Sequence, residues 1–347
     1  MSDLHGLATR ALRVLDPEDA HSWAIRGLKL GLGPRAPADD PILACEIAGL
    51  SLPNPVGLAP GFDKNAEVFG PMLHAGFGFA ECGTVTPLPQ VGNPRPRLFR
   101  LTEDQAVINR MGFNNQGLEA FAGRLARRGH RVVGANLGAN KDSEDRLSDY
   151  TTGLRRLWGM ASYFTINISS PNTPGLRALQ TTAALDELLG RLIGTAQSLP
   201  AGVAVPMFLK VAPDLDDTEV DAIVEVVARH GLAGIIVANT TVSRPQLQSS
   251  HRDETGGLSG APLFGPSTGI LRRFSAATAG RFLLIGVGGI GSGADAYAKI
   301  RAGACAVQLY SALAFEGPGL VTRIKRDLVL RLRADGFRSV SEAIGAE

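Results

Sequence analysis

Eight short apolar runs, each followed by a stretch with helical periodicity, fill this chain from residue 44 onward. The runs are 55–59 (PVGLA), 78–84 (GFAECGT), 131–137 (RVVGANL), 163–168 (YFTINI), 206–211 (PMFLKV), 234–239 (GIIVAN), 283–288 (LLIGVG) and 306–310 (AVQLY). The helical stretches are 64–75, 114–129, 148–160, 181–198, 217–230, 267–279, 292–302 and 317–334. Strands that read as near-continuous apolar runs are buried on both faces, which is the signature of a parallel sheet covered by helices. Eight such units predict a closed (β/α)8 TIM barrel spanning residues 44–347. Only 20 of 347 residues are aromatic, which argues against an all-β sandwich. Gly and Pro (42 and 21) supply the turns such a barrel needs.

Two kinds of segment fall outside the rhythm. Residues 1–35 read as an amphipathic helical hairpin. Leu4, Leu7, Ala8, Ala11, Leu12 and Leu15 share one helical face, Asp16-Pro17 breaks it, and a second helix ends near Gly31-Leu32-Gly33-Pro34. Residues 36–43 form a proline-containing linker. The other segments are insertions. Residues 87–113 are too long for a strand-to-helix loop and predict an antiparallel hairpin above the barrel mouth, and 240–265 is a second insertion, Gly-rich at 256–260.

The formal charge of +2 is too balanced for nucleic acid to be the main partner. Three widely spaced cysteines, Cys45, Cys82 and Cys305, give no disulfide framework, no zinc ribbon and no iron–sulfur site, so no metal centre is expected. No apolar run reaches the ~18 residues of a membrane span, and the N-terminus lacks a signal-peptide pattern.

In a barrel of this kind the site forms at the carboxyl ends of the strands. Read in order, those ends carry Pro60-Gly61-Phe62-Asp63-Lys64, Thr84, Asn136, Asn167 with Ser169-Ser170, Lys210, Asn239-Thr240, Gly288-Gly289 and Tyr310-Ser311. Lys210 should point into the mouth, where an unpaired ammonium is costly, so it calls for an anion or a salt bridge. Lys64 could hold a carboxylate, Asp63 being the structural alternative. The glycines after the seventh strand suit a phosphate bound by backbone N–H groups, with Gly260 as a further wall.

Seven motifs in order make the reading specific: GLAPGFDK (57–64), GTVTP (83–87), NRMGFN (109–114), NISSPNTPGLR (167–177), LKVAPD (209–214), GGLSG (256–260) and IGVGGI (285–290). Together they resemble the dihydroorotate dehydrogenase family from about residue 41 to 335. Ser170 at the base position and the N-terminal hairpin resemble its quinone-reducing, membrane-associated class rather than the soluble class, which uses Cys. The resemblance implies oxidation of dihydroorotate to orotate with FMN as hydride acceptor and a membrane quinone as final acceptor, in pyrimidine biosynthesis, without an iron–sulfur subunit. It implies FMN contacts at Pro60, Gly61, Phe62, Asp63, Lys64, Thr84, Asn136, Asn167, Lys210, Ala238, Gly260, Gly289, Tyr310 and Ser311. Substrate contacts are implied at Lys64, Asn109, Arg110, Met111, Gly112, Phe113, Asn167, Asn172, Asn239 and Thr240.

Ser170 would be the catalytic base, with Thr173 as proton relay and Phe113 as solvent screen. A quinone tunnel would be lined by His21, Arg26, Arg100 and Tyr310. The chain is then expected as a peripheral protein on the cytoplasmic face of a bacterial inner membrane, touching it through the hairpin. Alternatives are a soluble fumarate-linked relative, another FMN barrel oxidoreductase, and a non-redox phosphate-binding barrel.

Overall fold

The computed structural model describes residues 2–200 and 205–347. It opens with helices α1 (Ser2–Leu12) and α2 (Pro17–Lys29). The side chains of Leu4 and Leu7, counted on the apolar face of α1, lie outside the described residues. Pro17 begins α2 and the Asp16 carboxylate accepts from the N–H groups of Glu18 and Asp19, so the break read from Asp16-Pro17 is also the cap of the next helix.

A short antiparallel pair follows, β1 (Cys45–Ile47) and β2 (Leu50–Leu52). The sequence rhythm did not announce it. Its Ile47 and Leu52 join Phe79, Tyr163, Phe208 and Ile285 in one apolar cluster inside the barrel. The closed end is thereby covered by side chains rather than left as a pore.

The barrel strands appear where the apolar runs predict them. In chain order they are β3 (Val56–Leu58), β4 (Phe79–Val85), β7 (Val133–Leu137), β8 (Tyr163–Asn167), β9 (Met207–Val211), β10 (Gly234–Val237), β12 (Leu283–Val287) and β13 (Ala306–Leu309). All neighbouring pairs are parallel, and β13 returns to β3 to close the ring. Between β4 and β7, β5 (Leu98–Leu101) and β6 (Ala106–Asn109) form the antiparallel hairpin expected in the first insertion. The second insertion adds β11 (Gly257–Gly260), which pairs with β6 and turns the hairpin into a three-stranded sheet.

The covering helices are α3 (Phe69–His74), α4 (Leu118–Leu125), α5 (Arg146–Leu157), α6 (Thr182–Gln197), α7 (Asp217–His230), α8 (Phe264–Thr278), α9 (Gly293–Arg301), α10 (Leu313–Glu316) and α11 (Leu320–Ala334). Several boundaries differ from the periodicity. α3 starts five residues later than the predicted 64, because Asp63 folds the chain into a turn by accepting from the N–H groups of Glu67 and Val68. α4 starts at 118 because Gly117, at φ +81°, ends an irregular stretch held by the Asn115 side chain. The stretch predicted at 317–334 is α11, which starts three residues later, and Gly317-Pro318 separates it from α10, a short helix outside the predicted stretch.

The helical hairpin lies across the open end. α1 packs on α10, and α2 packs on α3 and β5. The second contact contains a buried bidentate ion pair, Arg97 Nη2 and Nε to the Glu18 carboxylate at 2.7 and 3.0 Å. The two guanidinium groups of Arg97 and Arg95 hold that carboxyl below its usual range despite its burial. Arg100 donates to the carbonyl of Arg13 at 2.6 Å, fixing the turn between the helices. No helix among the described residues is long and apolar enough to cross a membrane.

Candidate active site

The floor of the site is a polar layer inside the barrel. Glu81, fully buried in β4, accepts from Asn136 Nδ2 (2.7 Å), Gln308 Nε2 (2.7 Å) and the Tyr163 hydroxyl (3.1 Å). Above it, the Thr84 hydroxyl donates to Asn136 Oδ1 at 2.5 Å, and Asn167 Nδ2 donates to both Thr84 Oγ1 and Asn136 Oδ1 at 3.0 and 3.1 Å. Asn239 Nδ2 extends the chain to Ser169 Oγ at 3.0 Å and to Asn167 Oδ1 at 3.3 Å. Four strand ends therefore present amide and hydroxyl groups in orientations fixed by one another, which suits recognition of a ring with amide-like edges.

Lys210 stands among them in β9, in register with Asn167 on one side and Ile236 on the other. Its side chain is buried, at 4 % exposure, and it makes no hydrogen bond or ion pair with any described residue. Burial pulls its pKa below the ordinary lysine value, and the field of Glu81 only partly opposes that. The salt bridge considered from sequence is absent, and a desolvated ammonium without a bonded partner faces the cavity.

Lys64 does not pair with Asp63 either. Its Nζ donates to the Gly61 carbonyl at 2.8 Å, and desolvation pushes its pKa down to about 8.

The Ser170 loop is pinned from outside by Arg177, whose guanidinium donates to the carbonyls of Ser169 (3.1 Å) and Thr240 (3.2 Å) and to Asp214 (3.0 Å). Ser170 Oγ accepts from the Asn172 N–H at 3.3 Å. Asn172 Nδ2 in turn donates to Asn109 Oδ1 at 3.2 Å, joining this loop to β6. No imidazole or carboxylate is bonded to the Ser170 hydroxyl among the described residues.

The other side of the mouth is backbone. Gly288 and Gly289 follow β12 at φ +107° and +76°, and a Cβ at Gly289 would collide with the backbone of Phe264 at the start of α8. Ser311 Oγ donates to Ser259 Oγ at 2.8 Å, bringing the ends of β13 and β11 together. Glycine is required at 289 for close approach, and the wall it forms offers N–H groups rather than side chains.

All of this opens into a single cavity of about 710 Å3 that reaches from Ser170 and Lys210 to the inner face of the helical hairpin. At the hairpin end it is lined by Leu12, Ala20, Ala24 and Leu28. His21 lies between the two ends, edge-on to Phe62 at 5.3 Å and beside Tyr310, with burial and Lys64 pushing its pKa down to about 3. It is a neutral imidazole at any ordinary pH.

Most of the residues expected from sequence lie on this wall: Pro60, Gly61, Phe62, Lys64, Thr84, Asn167, Lys210, Ala238, Gly260, Gly289, Tyr310 and Ser311, then Asn109, Met111, Gly112, Phe113, Ser170, Asn172, Asn239 and Thr240, with His21 and Arg100 at the far end. Five lie off it. Asp63 turns away to cap the 63–68 turn. Asn136 sits one layer below, orienting Thr84 and Asn167. Thr173 is buried behind the loop and makes no hydrogen bond to Ser170. Arg110 pairs with Glu254 at 2.7 Å and stacks on Phe99. Arg26 is exposed and lies over the Trp23 ring at 5.0 Å. The sequence reading missed Glu81, Gln308 and Arg177. The first two were visible as polar residues inside otherwise apolar strands.

The family model for dihydroorotate dehydrogenase matches residues 42–332. A Rhodospirillum rubrum protein named dihydroorotate dehydrogenase (quinone) is 56 % identical over 350 residues, covering 100 % of this chain and 95 % of its own length. A protein of the same name from Parvibaculum lavamentivorans is 55 % identical, covering 99 % of both chains. The crystal structure of DHODH from Eimeria tenella in complex with ferulenol superposes with a TM-score of 0.93 at 40 % identity, covering 96 % of this chain and 98 % of that one. The chain belongs to the dihydroorotate dehydrogenase family.

Proposed function

We propose that the two ends of the cavity divide the work of a quinone-dependent dihydroorotate dehydrogenase, which oxidises dihydroorotate to orotate and passes the electrons to a quinone. The cofactor of this reaction is FMN, and the residues present suit it. The barrel mouth offers a buried ammonium at Lys210 that lacks a bonded partner, an unpartnered buried acceptor at Gln308 Oε1, and a glycine wall of backbone N–H groups. Lys210, Thr84, Asn167 and Ala238 would hold the ring, and Gly260, Gly289, Tyr310 and Ser311 the phosphate. Bound there, FMN supplies the acceptor for the substrate hydride and the donor of two electrons to quinone. Lys210 is the observation that carries this reading, because a buried charge without a bonded partner is stabilised by a complementary one beside it.

The substrate end is built from Asn109, Asn172, Asn239 and Thr240, whose amides and hydroxyl match the amide edges of a dihydropyrimidine ring. Lys64 faces the substrate carboxylate. Ser170 Oγ would take the C5 proton as its own hydroxyl proton passes to a water, and Phe113 on the same wall screens the site from bulk solvent. Thr173 supports the loop from behind, and any relay through it runs by way of an intervening water. Arg110, held by Glu254 and Phe99, steadies the rim rather than touching the ring.

Because Lys64 is charged only below about pH 8, orotate should bind tightly at neutral pH and progressively less tightly as pH rises through that value. Spectrophotometric titration of the holoprotein between pH 6 and 10 checks this. Lys64→Met should bind weakly at every pH, with the alkaline limb gone.

The hairpin end serves the quinone and the membrane. Its inner face is apolar and reaches the cavity. Val14, Trp23, Leu30 and Leu32 are all more than half exposed, Trp23 and Leu32 at the hairpin end of the cavity itself, a set that favours contact with a lipid surface by apolar burial. In a bacterial cell this surface is the cytoplasmic face of the inner membrane. His21 Nδ1 and the Tyr310 hydroxyl, 3.5 Å apart, would hydrogen-bond a quinone carbonyl.

Ala24→Trp fills the passage from a half-buried position. It should lower kcat/KM for a long-chain quinone by about tenfold or more while leaving anaerobic bleaching of the flavin by dihydroorotate unchanged. Stopped-flow measurement of the two half-reactions separates these effects. An equal loss in both would contradict the division of the cavity.

A further inference from the structure

A second buried lysine stands behind the glycine wall. Lys299, on the inner face of α9, is completely buried, yet no carboxylate among the described residues is bonded to it. Its Nζ donates to Ser267 Oγ at 2.8 Å and Thr268 Oγ1 at 3.0 Å, both near the start of α8, and lies 5.2 Å from the Phe264 ring. Ser267 Oγ reaches on to the Gly288 carbonyl at 3.0 Å. Lys299 is therefore tied through one hydroxyl to the loop after β12. That loop abuts the Phe264 backbone so closely that Gly289 admits no Cβ.

Gly288 and Gly289 line the cavity while Lys299 does not. One layer of main chain separates the ammonium from the place where the phosphate is read to bind. Burial pushes its pKa down to about 7, with Asp295 opposing and Arg272 adding to the fall. A side chain kept at such cost with only hydroxyl partners is explained by an anion on the far side of the loop, since two hydroxyls and an aromatic face do not repay the desolvation of an ammonium.

We infer that Lys299 is a positioning residue for the FMN phosphate, clamping the Gly288-Gly289 loop against the start of α8 and placing a positive charge behind the N–H groups that face the phosphate. The inference rests on the reading that the phosphate lies between Gly260, Gly289 and Ser311.

The test compares FMN with riboflavin, which lacks the phosphate, on the full-length apoprotein. Lys299→Met keeps the length of the side chain and removes its charge. Its Kd for FMN should rise about tenfold or more, the scale expected of one charge acting through protein, while its Kd for riboflavin stays within about twofold of wild type. Ser267→Ala keeps the charge and cuts the link to Gly288, so it should give a smaller loss in the same direction. Ser311→Asp tests the underlying reading by setting a carboxylate on the phosphate wall, and it should also lower affinity for FMN selectively.

If Ser311→Asp leaves the FMN-to-riboflavin ratio unchanged, the phosphate is not held there and both readings fall. If that variant shifts the ratio but Lys299→Met and Ser267→Ala leave it as in wild type, or weaken both ligands equally, Lys299 is only structural and the inference alone is overturned. Should Lys299→Met fail to bind riboflavin for want of folding, the ratio in Ser267→Ala decides the matter.

Discussion

Lys210→Met should give a more stable apoprotein and a far slower enzyme. In the apoprotein Lys210 is an ammonium buried at 4 % exposure without a bonded partner among the described residues. Methionine has similar length and no charge to desolvate, and replacing buried ionic groups by apolar ones of similar volume stabilises by about 1–4 kcal/mol in favourable cases. A rise in melting temperature of a few °C is the expected reading.

The sign with pH follows from the lowered pKa. The penalty is present in full while the ammonium is charged and is relieved as pH rises through its depressed value towards that of a free lysine. The gain from methionine is therefore largest on the acid side and shrinks in alkali. In the holoprotein, on the proposed reading, the same substitution would remove the cation that offsets negative charge developing at the ring, and flavin bleaching by dihydroorotate should slow by about 10²–10³, the range for removing one preorganised group of this kind. Stability gained and rate lost at one position would mark Lys210 as functional rather than structural. Loss of stability in the apoprotein would mean that the lysine has a protein partner in solution.

Ser170→Ala has an effect of comparable or greater size with a different signature. The substitution removes the only hydroxyl of the pinned loop that faces the cavity. It leaves untouched the Arg177 contacts, which go to the Ser169 and Thr240 carbonyls and to Asp214. FMN content and orotate affinity should therefore stay near wild type, while the rate of anaerobic bleaching falls by about 10²–10⁴, the usual contribution of a positioned general base. Transfer from flavin to quinone, started from chemically reduced protein, should be unaffected. Unchanged bleaching in this variant would remove Ser170 from the chemistry.

The barrel was readable because burial on both faces forces its strands to be apolar throughout, and period and run length then separate them from the helices. All eight appear within about two residues of the expected bounds. The same logic found Lys210, since a charged residue inside PMFLKV needs a reason. What it did not find depends on tertiary partners. The β1–β2 pair is three residues a side and becomes meaningful only when Ile47 and Leu52 meet the barrel interior. Asp63 sits between Phe62 and Lys64, which line the cavity, but its direction is set by the amides of Glu67 and Val68. Arg26 and His21 share a helix, yet the turn of that helix sends one outward and the other into the passage. Glu18 and Arg97, 79 positions apart, reveal their buried pairing only in the folded chain.

The account turns on Lys210 standing beside bound flavin. The two-electron reduction potential of the flavin in wild type and Lys210→Met measures that relation without reference to substrate. A drop of about 60 mV, equivalent to ~3 kcal/mol for a two-electron couple, is the predicted result. A potential unchanged by the substitution, in protein that still binds FMN, would contradict it.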